Sequence, residues 1–324
     1  MMRNKLFAIL LAGLILFALC SCGVASVVPP AEKHKVALIV KSTQSEFFMS
    51  MFAGAEAAAA EYNLSLSING PQTEEDYETQ NQMVRQAVAD GAEILIFSAI
   101  DFENNAPVIQ ETLDAGVKVV TVDSGVHSDG ISTYIGTNNY EAGRQAAEAA
   151  LNSGFGQLHV GLVNYDTNSA NGQERERGVR DVLMALDNVS IVSTINVLAS
   201  ASDARIETTV MLRAHPEINV LIAFNEPTAV GAAEAVEALK AGDRTWLVGF
   251  DSNVETIDLL QTGVVDALVV QNPYAMGYLG VESAYKLLNG QEAAISPTVD
   301  TATTTVKIDN MFTVDSQKTL FAFS

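Results

Sequence analysis

The feature that most constrains this chain is a regular alternation of short apolar runs with longer helical stretches, beginning at Lys35. In the first unit, the run Val36–Val40 is typical of a strand buried on both faces, and Glu46–Glu61 is rich in Ala, Met and Glu. Those residue types favour a helix. Repetition of this unit predicts parallel sheets with helices on both faces.

The units fall into two series, separated by a break near 137–139. Strands are predicted at 36–40, 64–68, 94–98 and 117–123, then at 159–165, 191–198, 220–225, 246–251 and 267–271. Helices are predicted at 46–61, 74–90 and 105–115, then at 140–151, 171–186, 203–215, 227–240, 254–261 and 274–288. Two series predict two doubly wound lobes of the α/β class. Beyond Leu288 the pattern fades, and Thr298–Ile308 is expected to be extended.

The N-terminal residues 1–21 predict a lipoprotein signal peptide, followed by a tether over residues 22–34. A basic start precedes the apolar run Leu6–Leu19, which is shorter than the roughly 20 residues of a membrane span. The segment Leu-Cys-Ser-Cys then predicts cleavage before Cys22 and lipidation of its thiol. An ordinary cleaved signal peptide is the alternative. The expected location is the outer face of a bacterial cell membrane.

Composition excludes one large class of partners. The chain has 18 Lys and Arg against 39 Asp and Glu, a formal net charge of −21. Such an acidic surface repels phosphate backbones, and binding to nucleic acid is not expected. Cys20 lies in the predicted signal peptide and Cys22 is the predicted lipidation site, so the exported domain must be stabilised by its core rather than by disulfides.

Polar side chains close the apolar runs of both series. These residues are Ser98, Asp123, Tyr165, Asn225, Asp251 and Gln271. Asp, Ser and Asn also favour helix N-caps, so each one has a purely structural alternative. If the polar edges of two sheets face each other, however, these groups line one crevice, and they suit a neutral polyhydroxylated ligand.

An aromatic pair, Phe47 and Phe48, lies on the first turn of the first predicted helix. This position is just beyond the carboxyl end of a strand, where open parallel sheets bind ligands. Adjacent helical residues point about 100° apart, so one ring can pack inward while the other faces a cleft. The alternative is that both rings belong to the core.

Seven segments in order carry a resemblance to a known family: STQSEFF, VTVDS, IGTNNYEAG, ERERG, LIAFNE, VGFDS and VVQNPY. Over Lys35–Gly290 the chain resembles the ribose- and galactose-type periplasmic sugar-binding proteins, the solute receptors of ABC importers. The resemblance implies a type I periplasmic binding protein fold, with two lobes joined by three crossings. It implies an N-terminal lobe of 35–137 plus 272–300 and a C-terminal lobe of 138–271 plus 301–324.

The resemblance also implies a set of sugar-binding residues. Stacking falls on Phe47 and Phe48, and the family's aspartate and arginine fall on Asp123 and Arg175. The polar contacts fall on Gln44, Ser45, Thr137, Asn138, Asn225, Asp251 and Gln271. Sugar C–H faces pack on aromatic rings, and sugar hydroxyls form strong hydrogen bonds with charged groups. A salt bridge with one of the glutamates beside it in sequence is the alternative role for Arg175.

The chain departs from the ribose receptors at several of these positions. Ser45 and Ser98 stand where those proteins have Asn, and Ser124 stands in place of a second Arg. No aromatic residue occurs in Ala199–Arg205, where the family can supply one from the second lobe, and Tyr165 is the candidate replacement. A buried polar site rejects ligands that leave its groups unpaired, so ribose itself is not assumed.

Other functions find less support. No Walker A loop, G-x-S-x-G elbow or H-E-x-x-H motif is present, and no cofactor is predicted. The segment Asp166–Asn171 lacks the pattern of a calcium loop, so no metal is predicted. A glycosidase-like pair of Asp123 and Asp251 is the enzymatic alternative. A sugar-responsive repressor would need a DNA-binding segment where this chain has a signal sequence.

The predicted mechanism is capture of one small sugar by hinge closure. The ligand shifts an existing equilibrium towards the closed form, which a membrane permease recognises. The expected protein is a monomer that binds a monosaccharide, with an aldose favoured over another polyol. A sensor kinase or chemoreceptor is the alternative recipient of the closed form. Neighbouring genes would distinguish transport from sensing.

Overall fold

The computed structural model describes residues 33–321 of the chain. Its strands are β1 (Lys35–Ile39), β2 (Ser65–Asn69), β3 (Ile94–Phe97), β4 (Lys118–Val122), β5 (Ile131–Gly136), β6 (Leu158–Tyr165), β7 (Val189–Val197), β8 (Val220–Ala223), β9 (Trp246–Phe250), β10 (Ala267–Val270), β11 (Thr298–Asp300) and β12 (Thr304–Lys307). Its α-helices are α1 (Glu46–Glu61), α2 (Tyr77–Ala89), α3 (Ala106–Asp114), α4 (Asn139–Leu151), α5 (Ala170–Leu183), α6 (Ala201–Ala214), α7 (Glu226–Ala238), α8 (Val254–Thr262), α9 (Pro273–Leu288) and α10 (Val314–Leu320).

The strands form two six-stranded sheets, one in each lobe. The first sheet has the order β11-β5-β4-β3-β1-β2, and the second has the order β12-β10-β9-β8-β6-β7. Pairing is parallel throughout both sheets except for β12, which lies antiparallel to β10. An antiparallel edge strand is common in doubly wound sheets. The predicted fold class, two α/β lobes with parallel sheets, is confirmed.

The first strand shows why these sheets are covered on both faces. Val36 and Leu38 pack into a core cluster with residues of α1 and α9, whereas Ala37 and Ile39 pack into a second cluster with residues of α2 and α3. Side chains alternate between the faces of a strand, so a continuous apolar run requires helices on both sides.

The chain passes between the two sheets three times. It crosses after β5, returns after β10 and crosses again between β11 and β12. After the second crossing, α9 packs on α1 so closely that a Cβ atom at Gly54 would lie 2.1 Å from the carbonyl oxygen of Tyr274. Two of the crossings are joined by a hydrogen bond from Thr137 Oγ1 to Gln271 Oε1, at 2.8 Å.

Several elements differ from the sequence prediction. Strand β5 was not predicted, because its sequence ISTYIG mixes small, polar and aromatic residues and has no continuous apolar run. Helix α10 was not predicted either, because its seven residues are mostly polar. The extended segment Thr298–Ile308 forms two short strands that belong to different sheets.

Within residues 33–321, no helix combines the length and the apolar character that a membrane span requires. The predicted signal peptide, the lipidation site Cys22 and all but the last two residues of the predicted tether lie outside the described residues.

Candidate functional site

A cavity with an empty volume of about 310 Å³ lies where the carboxyl ends of the two sheets meet. Its lining comes from both lobes: Lys41, Ser45, Phe47, Phe48, Glu74, Asp123, Tyr165, Asn171, Arg175, Asn225, Glu226, Pro227, Asp251 and Gln271. The structure therefore brings nine of the thirteen predicted site residues to one cavity.

The two adjacent phenylalanines divide between core and cavity. Phe48 is 2% exposed and belongs to the core cluster beneath α1, whereas Phe47 is half-buried. Their ring centroids lie 5.2 Å apart with an interplanar angle of 85°, which is a favourable edge-to-face arrangement. Phe48 thus packs against Phe47, and both residues line the cavity.

Asp123 follows β4 directly and is buried. Its backbone has a φ of 59°, in the left-handed region that Asp tolerates better than most residues. The carboxylate accepts hydrogen bonds from Ser98 Oγ at 2.9 Å and from Asn171 Nδ2 at 3.3 Å. Burial raises the pKa of Asp123, and the positive charges of Lys41 and Arg175 oppose that rise.

Asp251 occupies the corresponding place after β9, with a φ of 68°. Its carboxylate accepts hydrogen bonds from Gln271 Nε2 at 2.6 Å and from the backbone N–H of Glu226 at 3.1 Å. Burial raises the pKa of Asp251 as well, opposed first by the charge of Arg175. Both aspartates thus have uncharged hydrogen-bonding partners and remain available as acceptors for ligand hydroxyls.

Arg175, on α5, is 1% exposed and lies among these acids. Its Nε donates to Asn139 Oδ1 at 2.9 Å, its Nη1 donates to the carbonyl oxygen of Phe224 at 2.6 Å, and its guanidinium carbon lies 4.6 Å from the ring centroid of Phe250. Its Nη2 is buried and has no hydrogen-bond partner in the described part of the chain. The cavity therefore contains a donor that lacks an acceptor.

The salt-bridge alternative for Arg175 is not what the structure shows. Glu174 pairs with Arg177, and Glu176 pairs with Arg180. Close packing holds Arg175 on the inner side, since a Cβ atom at Gly143 of α4 would lie 2.1 Å from the Arg175 carbonyl oxygen.

Of the remaining predicted residues, some line the cavity and others lie outside it. Asn225 and Ser45 line the cavity and also cap α7 and α1, so the cap alternative describes part of their role. Asn138 caps α4, and Gln44 is exposed, with its amide donating to Thr43 Oγ1 at 3.3 Å.

Three further predicted residues form hydrogen bonds with other residues of the site. Ser98 lies behind Asp123, and Thr137 supports Gln271. Tyr165 lines the cavity, and its hydroxyl donates to Asn171 Oδ1 at 2.9 Å.

Four charged or polar cavity residues were missed by the sequence analysis: Lys41, Glu74, Asn171 and Glu226. Glu226 follows Asn225 at a strand end and could have been found from that position. Lys41 and Glu74 lie in loops without a motif, so only the folded chain brings them together. Lys41 gives the cavity a second cation besides Arg175.

Glu226 lines the cavity beside Asp251. Its Oε1 accepts a hydrogen bond from Asn253 Nδ2 at 2.8 Å. Burial, followed by the nearby negative charges of Asp251 and Glu46, raises the pKa of Glu226 to about 7. This group therefore changes charge near neutral pH.

Acidic side chains do not converge into a metal centre within residues 33–321. No group of three or more His, Cys, Asp or Glu residues there is arranged to hold a metal ion.

Two parallel-sheet lobes, linked by three crossings and enclosing a polar cavity at their strand ends, define a solute-binding protein. Residues 36–292 match the family model described as the periplasmic binding protein domain. The chain belongs to this family of extracytoplasmic binding proteins, which are not enzymes.

Relatives within the family are named for sugars. The D-ribose/D-allose-binding protein of Pseudomonas aeruginosa is 30% identical over 80% of this chain and 84% of its own length. The ribose import binding protein of Escherichia coli is 28% identical over 83% of this chain and 89% of its own length.

Solved structures show the same fold. A carbohydrate transporter solute-binding protein from Agrobacterium radiobacter, in complex with D-arabinose, has a TM-score of 0.86 and 25% identity, covering 90% of this chain and 99% of that one. An ABC transporter solute-binding protein from Agrobacterium vitis with bound D-fucose has a TM-score of 0.84 and 26% identity, covering 88% and 99%.

Proposed function

We propose that this protein is the sugar-binding component of an ABC importer and that it captures one monosaccharide, with an aldose favoured, in the cavity between its lobes. The observation that carries this proposal is the unpaired Nη2 of Arg175 beside Asp123 and Asp251. One donor without an acceptor and two desolvated acceptors match the mixed character of sugar hydroxyls. Relatives that bind ribose, allose, arabinose and fucose support the same ligand class.

The proposed mechanism is closure about the three crossings, with the lobe bounds near residues 137, 271 and 300. Phe47 and Asp123 belong to one side of the cavity, and Arg175 and Asp251 belong to the other. A ligand that contacts both sides binds the closed form better and so shifts the equilibrium towards it. The closed form then engages the permease.

Lipid attachment at Cys22 would hold the monomeric receptor beside that permease. This part of the proposal depends on the sequence signal alone, and mass spectrometry of the mature protein tests it. A lipid-modified N-terminal Cys22 is expected. An unmodified N-terminus at any other residue would contradict it.

A thermal-shift screen of the exported domain against aldoses, ketoses, polyols and amino acids tests the ligand class. A true ligand at about 100 times its Kd should stabilise the domain by about 2.7 kcal/mol. The variant Arg175→Met should lose this shift, because it removes the unpaired Nη2 donor and leaves the buried Asp251 without its cation. Stabilisation by amino acids and by no sugar would overturn the proposal.

A further inference from the structure

A groove adjoins the sugar cavity and has no part in the function proposed above. It has an empty volume of about 900 Å³, against about 310 Å³ for the sugar cavity. The two spaces share four lining residues, Phe47, Glu226, Asp251 and Gln271. A sugar that lies against Phe47 and Asp251 is therefore bound at the border of the groove.

The chemistry of the groove differs from that of the sugar cavity. Besides the four shared residues, ten others line the groove, and Glu46 is the charged one among them. Five of the ten are apolar: Val254, Ile257, Pro273, Leu320 and Phe321. The sugar cavity, in contrast, has six charged residues and three apolar ones, Phe47, Phe48 and Pro227, among its fourteen. The groove thus suits C–H groups better than hydroxyls.

Helices α8 and α10 supply most of the apolar wall. Val254, the first residue of α8, is 77% exposed, and Ile257 lies on the same face one turn later. Ile257 packs on the core cluster of the second lobe, to which Leu320 of α10 belongs, and Phe321 follows it with 42% exposure. Exposed apolar side chains gathered beside a ligand cavity indicate a surface that an apolar group covers.

Polar side chains of the groove already have partners in the protein. Asn253 Oδ1 accepts from the backbone N–H of Thr256 at 2.7 Å, and its Nδ2 donates to Glu226 Oε1 at 2.8 Å. Thr319 Oγ1 donates to the carbonyl oxygen of Asp315 at 3.0 Å. These groups therefore need no hydroxyl from a ligand.

The charges along the groove all have one sign. Glu46, Glu226 and Asp251 line it, and its lining within residues 33–321 includes no Lys, Arg or His. Carboxylates repel a phosphate or carboxylate group on a ligand, and apolar walls do not replace the hydration that such a group loses. The groove therefore disfavours anionic substituents.

We propose that this groove binds an uncharged apolar substituent of the sugar, so that the preferred ligands are alkyl or aryl glycosides or ethers of the aldose. The inference rests on the proposed sugar-binding function and names its substrate class. The sugar ring occupies the polar cavity, and the substituent lies against Val254, Ile257 and Phe321. Burial of apolar surface adds affinity there without a further hydrogen bond.

The test compares the best aldose from the screen with its mono-O-butyl derivatives at each hydroxyl, both anomeric glycosides included. Calorimetry measures each Kd. At one position the butyl derivative should bind about 10-fold tighter than the parent aldose, since each fully buried CH₂ contributes about 4-fold. The phosphate ester at that same position should bind more weakly than the parent.

Val254→Asp should reduce the gain from the butyl group from about 10-fold to about 2-fold, because it places a charge in the apolar wall. Acids are favoured in the first turn of a helix, so this variant is expected to fold. Phe321→Ser is a second variant with the same expected direction.

Val314→Asp is the matched control. Val314 is likewise the first residue of a helix and is 69% exposed, but it lines neither the groove nor the sugar cavity. This variant should keep the full gain from the butyl group.

The outcomes separate this inference from the function on which it rests. If the wild type binds neither the sugars nor their derivatives, both are overturned. If it binds the parent aldose but no derivative more tightly, or if Val254→Asp and Val314→Asp change the gain equally, the function stands and the groove assignment is overturned. Dimerisation of the wild type without any gain from a substituent would assign the groove to a second copy of the chain instead.

Discussion

The two lobes repeat one arrangement, and the aspartates of the cavity show it most clearly. Counted from the β11 and β12 edges, Asp123 and Asp251 each follow the third strand of their sheet. Each backbone N–H donates at 3.0 Å to a carbonyl of the neighbouring strand, Ile135 and Val269 respectively. Both residues have left-handed φ angles. The repeated topology therefore places two acids in equivalent positions on opposite sides of the cavity.

The surroundings of the two acids nevertheless differ. Asp123 lies in the field of two cations, Lys41 and Arg175, whereas Asp251 interacts with one cation, Arg175, and with two other acids, Asp123 and Glu226. The fold repeats the position of the carboxylate, and the loops decide its electrostatic role. Asp123 balances charge in the cavity, whereas Asp251 adds to an excess of negative charge beside Glu226.

Asparagine substitutions of the two aspartates should have unequal effects on sugar affinity. Asp123→Asn leaves two buried cations with one acid fewer, and we expect a loss of about 2–3 kcal/mol. Asp251→Asn removes an acceptor but relieves repulsion with Glu226, and we expect a loss of about 1–2 kcal/mol. Kd values measured by calorimetry for both variants test this difference in affinity.

Asparagine is the suitable replacement because it keeps the shape of the side chain and tolerates a positive φ. Wild-type affinity in either variant would show that its carboxylate does not contact the ligand. A larger loss in Asp251→Asn than in Asp123→Asn would contradict the electrostatic difference between the lobes.

Much of this fold could be predicted from local pattern. The strands buried on both faces, such as 36–40 and 267–271, stand out as continuous apolar runs, and the helices between them were found to within a few residues. Strand β5 escaped because it is only partly buried and has no such run. The direction of β12 could not be predicted, because a four-residue Thr- and Val-rich segment carries no information about its pairing partner.

The site was predictable where it depends on strand ends. Asp123, Asn225, Asp251 and Gln271 all follow buried strands, and topology alone brings them to one edge. The pair of Lys41 and Glu74 was not predictable, because each lies in a loop and the partners are joined only by tertiary packing. Local sequence therefore specifies the acceptors of the cavity better than its cations.

Protonation of Glu226 should make the stability of the domain depend on pH. The pKa of Glu226 in the folded protein, about 7, exceeds its ordinary value of 4.5. The folded state therefore binds more protons than the unfolded state between these values, and stability falls as pH rises through this range. We expect a decrease of about 1–2 kcal/mol between pH 5 and pH 7 from this group. Thermal unfolding without ligand measures it.

Glu226→Gln should remove that part of the pH dependence and should be more stable than the wild type at pH 8. Burial raises the pKa of Asp266 to about 6. This residue should therefore cause a smaller decrease in stability with rising pH in both proteins. Identical pH profiles for the wild type and Glu226→Gln would show that the acid beside Asp251 is not destabilised by burial and repulsion.

Loss of a contact between the lobes outside the cavity should have the smallest effect on sugar affinity. It distinguishes the contribution of closure from that of direct ligand contact. Glu75 Oε1, in the lobe that contains Asp123, accepts a hydrogen bond at 3.1 Å from the backbone N–H of Ala199 in the other lobe. This contact joins the two lobes and would break in the proposed open form, so Glu75→Ala should shift the equilibrium towards that form. We expect affinity for every sugar to fall by about 0.5–1 kcal/mol, without a change in their ranking.

Small-angle scattering should show a larger radius of gyration for ligand-free Glu75→Ala than for the wild type. Glu78→Ala is the matched control, since Glu78 is exposed on the nearby helix α2. Unlike the aspartates, Glu75 does not line the cavity, so a change in sugar ranking would place it in contact with the ligand and contradict its assignment to closure. A uniform loss would show that affinity in this protein depends on lobe contacts as well as on the acids that face the sugar.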